Sequence, residues 1–311
     1  MIEAKALTRY FDRLLAVDNI SFKVEPGCVL GFLGPNGAGK STTMKMLTGF
    51  LAPSSGSAII NGHDIVSDSL QARRQIGYLP EGAPLYGEMT VLEFLDFIAS
   101  ARGFNGAEVR RKALAAADRL ELAGVLQQTI ETLSKGFKRR VGLAQAILHD
   151  PRVLILDEPT DGLDPNQKHH VRELIRSMSE NRIIIVSTHI LEEVDALCNR
   201  AMIIARGRVV ADDTPAGLIT RSRYHNAVTL KLGDLRAAAS VLSKLPGVAR
   251  VEISDDELTL FPHAQKQLLS AVTASIDKHG WAVDSIRLEE GRLDEVFRDI
   301  TRGEPAHKEA A

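Results

Sequence analysis

Along the first two-thirds of the chain, apolar runs of strand length alternate with segments of helical period. Ser21–Glu25, "SFKVE", alternates apolar and polar positions, the pattern of a half-buried strand. "VLGFLG" runs into a glycine-rich loop, and a helix is predicted from Ser41. "VLILD" and "RIIIVST" are unbroken apolar runs, as expected of strands covered on both faces of a largely parallel sheet. Between them, Lys168–Glu180 spaces Val171, Leu174, Ile175 and Met178 as one helical face. The segment from about Thr90 to Leu148 lacks strand signals and reads as a mostly helical insertion.

A break follows "RGRVVADDTPAGLITRSRYHN". Its Pro215-Ala216-Gly217 and the charged stretch that follows predict a first domain over 1–219 and a linker over 220–226. From 227 to 302 the order is strand ("AVTLKL"), helix, two strands ("VARVEI", "ELTLF") joined at "SDD", helix and strand ("WAVDSIRL"), then a short helix. The second long helix is predicted over "AQKQLLSAVTASIDKHG" and stops at Gly280. β-α-β-β-α-β is the order of a small α+β domain of ferredoxin-like type. The tail, 303–311, reads as disordered.

Composition narrows the function classes little. Of 311 residues, 44% are hydrophobic and 25% charged, which is ordinary for globular domains. A net charge of −2 without a long basic run argues against nucleic acid as a partner. No apolar run approaches the about 20 residues that a helix needs to cross a bilayer, and the N-terminus has no signal-peptide core. Cys28 and Cys198 have no metal-ligand spacing and read as structural thiols in a reducing compartment.

The glycine-rich loop carries the chemistry. "GPNGAGKST" comprises Gly34, Pro35, Asn36, Gly37, Ala38, Gly39, Lys40, Ser41 and Thr42, and fits G-x-x-x-x-G-K-[ST] between a predicted strand and helix. Its glycines let backbone N–H groups approach phosphate oxygens, and the helix start adds donors and partial positive charge. Lys40 can reach the β- and γ-phosphates of ATP, and the Ser41 hydroxyl can ligate Mg²⁺. Asp157, leaving the carboxyl end of "VLILD", suits a magnesium ligand, and Glu158 a general base for an attacking water. His189 follows "IIIVST" on the same ligand edge, where its imidazole can report the γ-phosphate.

"LSKGF" (Leu133–Phe137) then opens a second helix with a serine and a glycine, just ahead of the Asp157 strand. With this third motif, residues Ile2 to Leu218 resemble the nucleotide-binding subunit of ATP-binding cassette (ABC) transporters. The expected fold is an α/β P-loop ATPase domain with a helical insertion at about 90–148, followed by the ferredoxin-like domain. The family's usual signature is L-S-G-G-Q. Its resemblance implies that two subunits pair head to tail, as a homodimer or with a paired ABC subunit. Ser134, Lys135 and Gly136 would then meet the γ-phosphate of the partner's ATP. The same resemblance places Asp164, in "DGLD", in the interface loop and Phe11 against adenine, with Tyr10 as the alternative. Glu81, in "IGYLPEG", stands where the family has glutamine, and is assigned either to the metal with Ser41 and Asp157 or to the membrane partner. Two substitutions depart from the signature, Lys135 for glycine and Phe137 for glutamine. The "LSKGF" and "YLPE" spellings resemble the gliding-motility, drug-export and copper-maturation branch, which implies separate transmembrane permease subunits, usually exporters, and a place on the inner face of the membrane. A soluble ABC ATPase that serves no transporter is the alternative. For the C-terminal domain, scaffold and ligand sensor both stay open.

Overall fold

The structure, a computed structural model, describes residues 1–82, 84–263 and 266–302. The tail predicted to be disordered lies outside the described residues. The chain forms two compact units that divide between Thr214 and Pro215.

The first unit begins with β1 (Ile2–Phe11), β2 (Leu14–Val24), β3 (Val29–Leu33) and α1 (Lys40–Leu47). It continues through β4 (Ser55–Ile60), β5 (His63–Asp64), α2 (Ser69–Arg74) and β6 (Ile76–Leu79). The helical insertion holds α3 (Val91–Ala101), α4 (Ala107–Arg119) and α5 (Lys135–Ile147). Then come β7 (Val153–Asp157), α6 (Pro165–Ser179), β8 (Ile183–Ser187), α7 (Leu191–Leu197), β9 (Arg200–Ala205) and β10 (Arg208–Asp213).

Two sheets share one core. The larger has the order β10-β9-β3-β8-β7-β6, parallel except for β10 at its edge. Every residue of β3, β7 and β8 is buried, which is why these strands read as unbroken apolar runs. The smaller sheet is antiparallel, β2-β1-β4-β5. Phe22 of β2 meets Phe32 of β3 edge-on, ring centroids 5.4 Å apart, inside a cluster that also holds Ile2, Ile155, Ile185 and Met202.

The insertion is anchored at two points. α3 starts with a capping box, in which Thr90 Oγ1 accepts from Glu93 N and Glu93 Oε2 accepts from Thr90 N. α5 lies directly on β6: Gln145 Nε2 donates to Tyr78 O at 2.8 Å, and a side chain at Gly77 would strike the Ala146 carbonyl.

Two expectations are corrected. The residues assigned to the end of the first domain and to the linker fall in the second unit. There Pro215–Ile219 is a short helix, α8, with Leu218 fully buried, so the proline opens a helix and Gly217 lies within it, in packed structure. Lastly, the helix predicted from Ala264 starts on residues outside the described ones, Ala264 and Gln265, and among the described residues it runs only from Leu269 to His279.

The second unit contains α8, β11 (Val228–Leu232), α9 (Leu235–Leu242), β12 (Val248–Ser254), β13 (Glu257–Pro262), α10 (Leu269–His279), β14 (Val283–Leu288) and α11 (Leu293–Arg302). Its sheet order β12-β13-β11-β14, antiparallel throughout, is that of a ferredoxin-like domain. Val228, Leu230, Leu258 and Leu260 pack with Leu242 of α9 and Val272 of α10 as its core, and Gly280 closes α10 at φ +62°.

Candidate nucleotide site

The site forms where β3 and β7 deliver their carboxyl ends. The loop after β3 turns back over itself through Gly39, whose φ of +105° and 2.7 Å approach of a would-be Cβ to the Ala16 carbonyl leave room only for glycine. At Gly34 a side chain would strike the Ile204 carbonyl. Lys40, the first residue of α1, is buried, and its Nζ donates to the carbonyls of Gly34 at 2.7 Å and Pro35 at 3.2 Å. Burial pushes its ammonium pKa down, opposed by the nearby carboxylates of Glu158, Asp157 and Glu81. A buried cation arched over a loop of glycines is a ready seat for phosphate oxygens.

One cleft of about 430 Å³ gathers Phe11, Asn36, Gly37, Ala38, Gly39, Lys40, Ser41, Thr42, Glu81, Asp157 and Glu158. Segments separated by up to 147 positions (158 − 11) thus meet at one place. Phe11 reaches this cleft, and Tyr10 is not part of its lining. The Arg9 guanidinium lies 4.9 Å from the Phe11 ring centroid.

At the end of β7, Asp157 is 2% exposed. Its Oδ1 accepts from the Ser187 hydroxyl, whereas Oδ2 is buried with no hydrogen-bond partner among the described residues. A buried carboxylate oxygen left unpaired is costly. The donor set around it, the Ser41 hydroxyl and the Asp157 and Glu81 carboxylates, is all hard oxygen, which fits a magnesium ion. Glu158, the next residue, takes φ +51° and accepts a 2.8 Å contact between its Oε1 and His189 Nδ1. The proposed base and the proposed phosphate reporter therefore touch.

Ser134, Lys135, Gly136 and Asp164 do not line this cleft. Ser134 is the exposed N-cap of α5, with its hydroxyl accepting from Phe137 N at 3.3 Å. Lys135 Nζ is 2.8 Å from Asp161 Oδ2, a would-be Cβ on Gly136 lies 2.9 Å from Gln167 Oε1, and Asp164 caps α6 by accepting from Gln167 N at 2.9 Å. Phe137 is half-buried, with the Arg140 guanidinium 4.3 Å from its ring centroid.

Comparison with known proteins places this geometry. The model of the ABC transporter family matches residues 17–161. The linearmycin resistance ATP-binding protein LnrL of Bacillus subtilis is 31% identical over 308 residues, 97% of this chain and 98% of that protein. This chain belongs to the ABC transporter family. As an ABC protein it is the ATP-binding, ATP-hydrolysing subunit, and among its described residues no helix is long and apolar enough to cross a membrane. The Nod factor export ATP-binding protein I of Ralstonia nicotianae is 31% identical over 304 residues, 97% of this chain and 94% of that one. The solved ATP-binding subunit of an ABC transporter superposes with a TM-score of 0.65 at 33% identity, covering 70% of this chain and 91% of its own.

Three contributors escape the motif reading. Arg139, buried in α5, donates to the carbonyls of Asp157 and Glu158 and, at 3.3 Å, to that of Pro80. The helix that Ser134 opens is thereby bolted to the strand end that carries the two acids. A signal existed: Arg139 falls three residues after Gly136 and four before Leu143, on the buried face of its helix. Tyr78, whose buried hydroxyl has no partner among the described residues, has its pKa raised by burial and by Asp157 and Glu81. Glu193 is the third.

Proposed function

We propose that this ABC subunit works as a dimer, powers an export system through separate transmembrane subunits, and hydrolyses ATP with Glu158 as base. The observation that carries the reading is the single cleft that brings the phosphate loop, three carboxylates and an aromatic side chain together. In it, loop N–H groups and Lys40 hold the β- and γ-phosphates, and Phe11 packs on adenine. Glu158 Oε1 takes a proton from water as that water's oxygen bonds to the γ-phosphorus and the bond to the bridging oxygen breaks. His189, in contact with that carboxylate, orients it and senses the γ-phosphate. Ser41, Asp157 and Glu81 would hold magnesium, which when bound neutralises charge on the phosphates.

Ser134 supports a shared site, since it caps an exposed helix start outside its own chain's cleft. In a head-to-tail dimer it would donate to the partner's ATP, with Asp164 at the interface. A second, larger groove of about 790 Å³ lies beside the first, lined by Phe50, Tyr78, Glu81, Leu85, Tyr86 and Phe94 among others. Glu81 lines both. An apolar segment of the transmembrane subunit on the inner face of the membrane is its proposed occupant, so that closing on ATP moves that segment. Export follows the relatives whose names speak of export and drug resistance.

Mixed dimers test the arrangement. One Lys40→Ala subunit paired with one Ser134→Ala subunit leaves one of the two shared sites intact, whereas a Ser134→Ala homodimer leaves none. The mixed dimer is expected to keep about half the wild-type ATPase rate per dimer, by site count. Equal rates for the mixed dimer and the Ser134→Ala homodimer would overturn it.

A further inference from the structure

Glu193 is a buried carboxylate, 3% exposed, which the chemistry above leaves unused. It stands at the start of α7, and its two oxygens serve two different loops. Oε1 accepts from the Thr160 hydroxyl and Oε2 from the Thr188 hydroxyl at 2.9 Å. Thr160 lies two residues after Glu158, and Thr188 immediately precedes His189. The Thr188 hydroxyl also accepts from Ile190 N at 3.0 Å, so this one side chain spans the His189 peptide. From α6, Lys168 Nζ at 3.8 Å and Arg172 Nη2 at 3.7 Å face Oε1 and balance its charge.

The loops after β7 and β8 are thus tied twice. On the strand side, Glu158 N donates to Ser187 O at 3.0 Å. On the far side, two threonine hydroxyls converge on Glu193. The Glu158–His189 contact sits between the two ties. A buried ion network of this kind contributes little net stability over apolar side chains of similar volume, but it fixes geometry.

We propose that Glu193 is a positioning residue for ATP hydrolysis, which locks the two loops against each other and so sets the distance between Glu158 and His189. This rests on the roles proposed above for those two residues. Because α6 is the helix that Asp164 caps, the same carboxylate ties the interface loop's helix to the catalytic pair.

The test is steady-state ATPase kinetics on the full chain with Glu193→Gln, alone and combined with His189→Ala. The amide keeps the shape but offers one strong acceptor where two hydroxyls need it. Loss of alignment is expected to lower kcat by about 10- to 100-fold, with KM for ATP and ATP affinity without turnover changed by less than about twofold. In the His189→Ala background the same change is expected to cost less than about threefold, because the contact it serves is already gone. A purely structural role would lower kcat by the same factor in both backgrounds, and that result overturns the inference. An unchanged kcat, or a raised KM at unchanged kcat, overturns it as well. Thr160→Val and Thr188→Val remove one hydroxyl each without changing volume. They are expected to show the same kinetic pattern at smaller size and decide the matter should Glu193→Gln not fold; full activity in both overturns it. If His189→Ala alone keeps the full rate, the role of His189 fails and this inference with it. If His189→Ala is slow and Glu193→Gln is not, this inference alone fails.

Discussion

α1 and α5 both begin beside a serine and a glycine, yet they start in opposite ways. α1 is opened by Gly39 in a left-handed conformation, and no side chain caps it. Its first turn faces a cleft that already holds Glu81, Asp157 and Glu158. α5 is opened by Ser134 in extended conformation, with the hydroxyl folded back on Phe137 N. Among the described residues the cleft's carboxylates do not line this helix start, where Lys135 Nζ meets Asp161. Both helix starts supply donors suited to phosphate. Only the first is joined to the groups proposed to ligate a metal and move a proton, so in the proposed dimer the first would be the catalytic seat and the second a lid for the partner's seat. Arg139 makes the two interdependent by holding α5 to the carbonyls of Asp157 and Glu158.

The widest separation between the two helix starts should appear in turnover. Glu158→Gln removes the proton acceptor from the α1 side and is expected to slow ATP hydrolysis by about 10²–10⁴-fold. ATP binding persists, and an ATP-bound dimer accumulates on gel filtration. Near-normal steady-state activity of the purified variant would break the assignment of chemistry to the first helix start.

Ser134→Ala acts on the other side of the comparison. One hydrogen bond to a charged phosphate is worth about 1.5–3 kcal/mol and the homodimer loses two, so the protein concentration needed for ATP-driven dimerisation should rise by about 10²–10⁴-fold. Nucleotide affinity of the monomer should stay within about twofold, because the serine lies outside its own chain's cleft. A matching loss of affinity in the monomer would place Ser134 in the same-chain site and erase the distinction.

The first helix start was far more legible in the sequence than its surroundings. Gly34–Thr42 is local, so its spacing alone specifies strand, loop and helix, and the both-sides-buried strands β7 and β8 announce themselves as apolar runs. β1 hides because its register shifts between Ala4 and Leu7, Leu7 and Arg9, and Arg9 and Tyr10, which scrambles the alternation that a strand should show. Pro215 and Gly217 carry linker chemistry and yet belong to packed structure, since a proline suits the first position of a helix as well as a linker. Glu193 was invisible for another reason, and Arg139 offered only its helical spacing. Their partners are carbonyls and hydroxyls up to 59 and 33 positions away, and no residue type advertises a carbonyl.

Glu81 sharpens the comparison from the cleft's edge, since it lines both the nucleotide cleft and the neighbouring groove. Its carboxylate attracts a divalent cation and repels the γ-phosphate. At about 5 Å and an effective dielectric of about 20, each effect is on the order of 3 kcal/mol per unit charge, so the net is a small difference. The cation carries two charges and can be ligated directly, so attraction should win. Glu81→Gln is expected to raise the Mg²⁺ concentration at half-maximal ATPase rate by about two- to tenfold. ATP binding without metal should be unchanged or improved. An unchanged Mg²⁺ titration would turn Glu81 toward the groove, where only partner-stimulated activity should suffer.

The smallest effect belongs to the contact that stands in for a catalytic partner at the second helix start. Lys135 and Asp161 are 2.8 Å apart with side chains 73% and 46% exposed, so solvent screening limits the pair to about 0.2–1 kcal/mol. The hydrogen bond and charge of Lys135, with Arg139 and His189 behind it, hold the Asp161 carboxyl below the ordinary aspartate range. A carboxyl whose pKa is lower folded than unfolded stabilises the fold above its unfolded pKa and loses that contribution as pH falls through the folded value. Asp161→Asn should therefore cost up to about 1 kcal/mol in urea unfolding at pH 7, and less as the pH is brought down through the aspartate range or as salt is raised. A cost that persists in acid would mean that Asp161 serves the loop by hydrogen bonding rather than by charge. The α5 start would then be held in place by the shape of its turn, and the ammonium of Lys135 would already be free to face a second subunit.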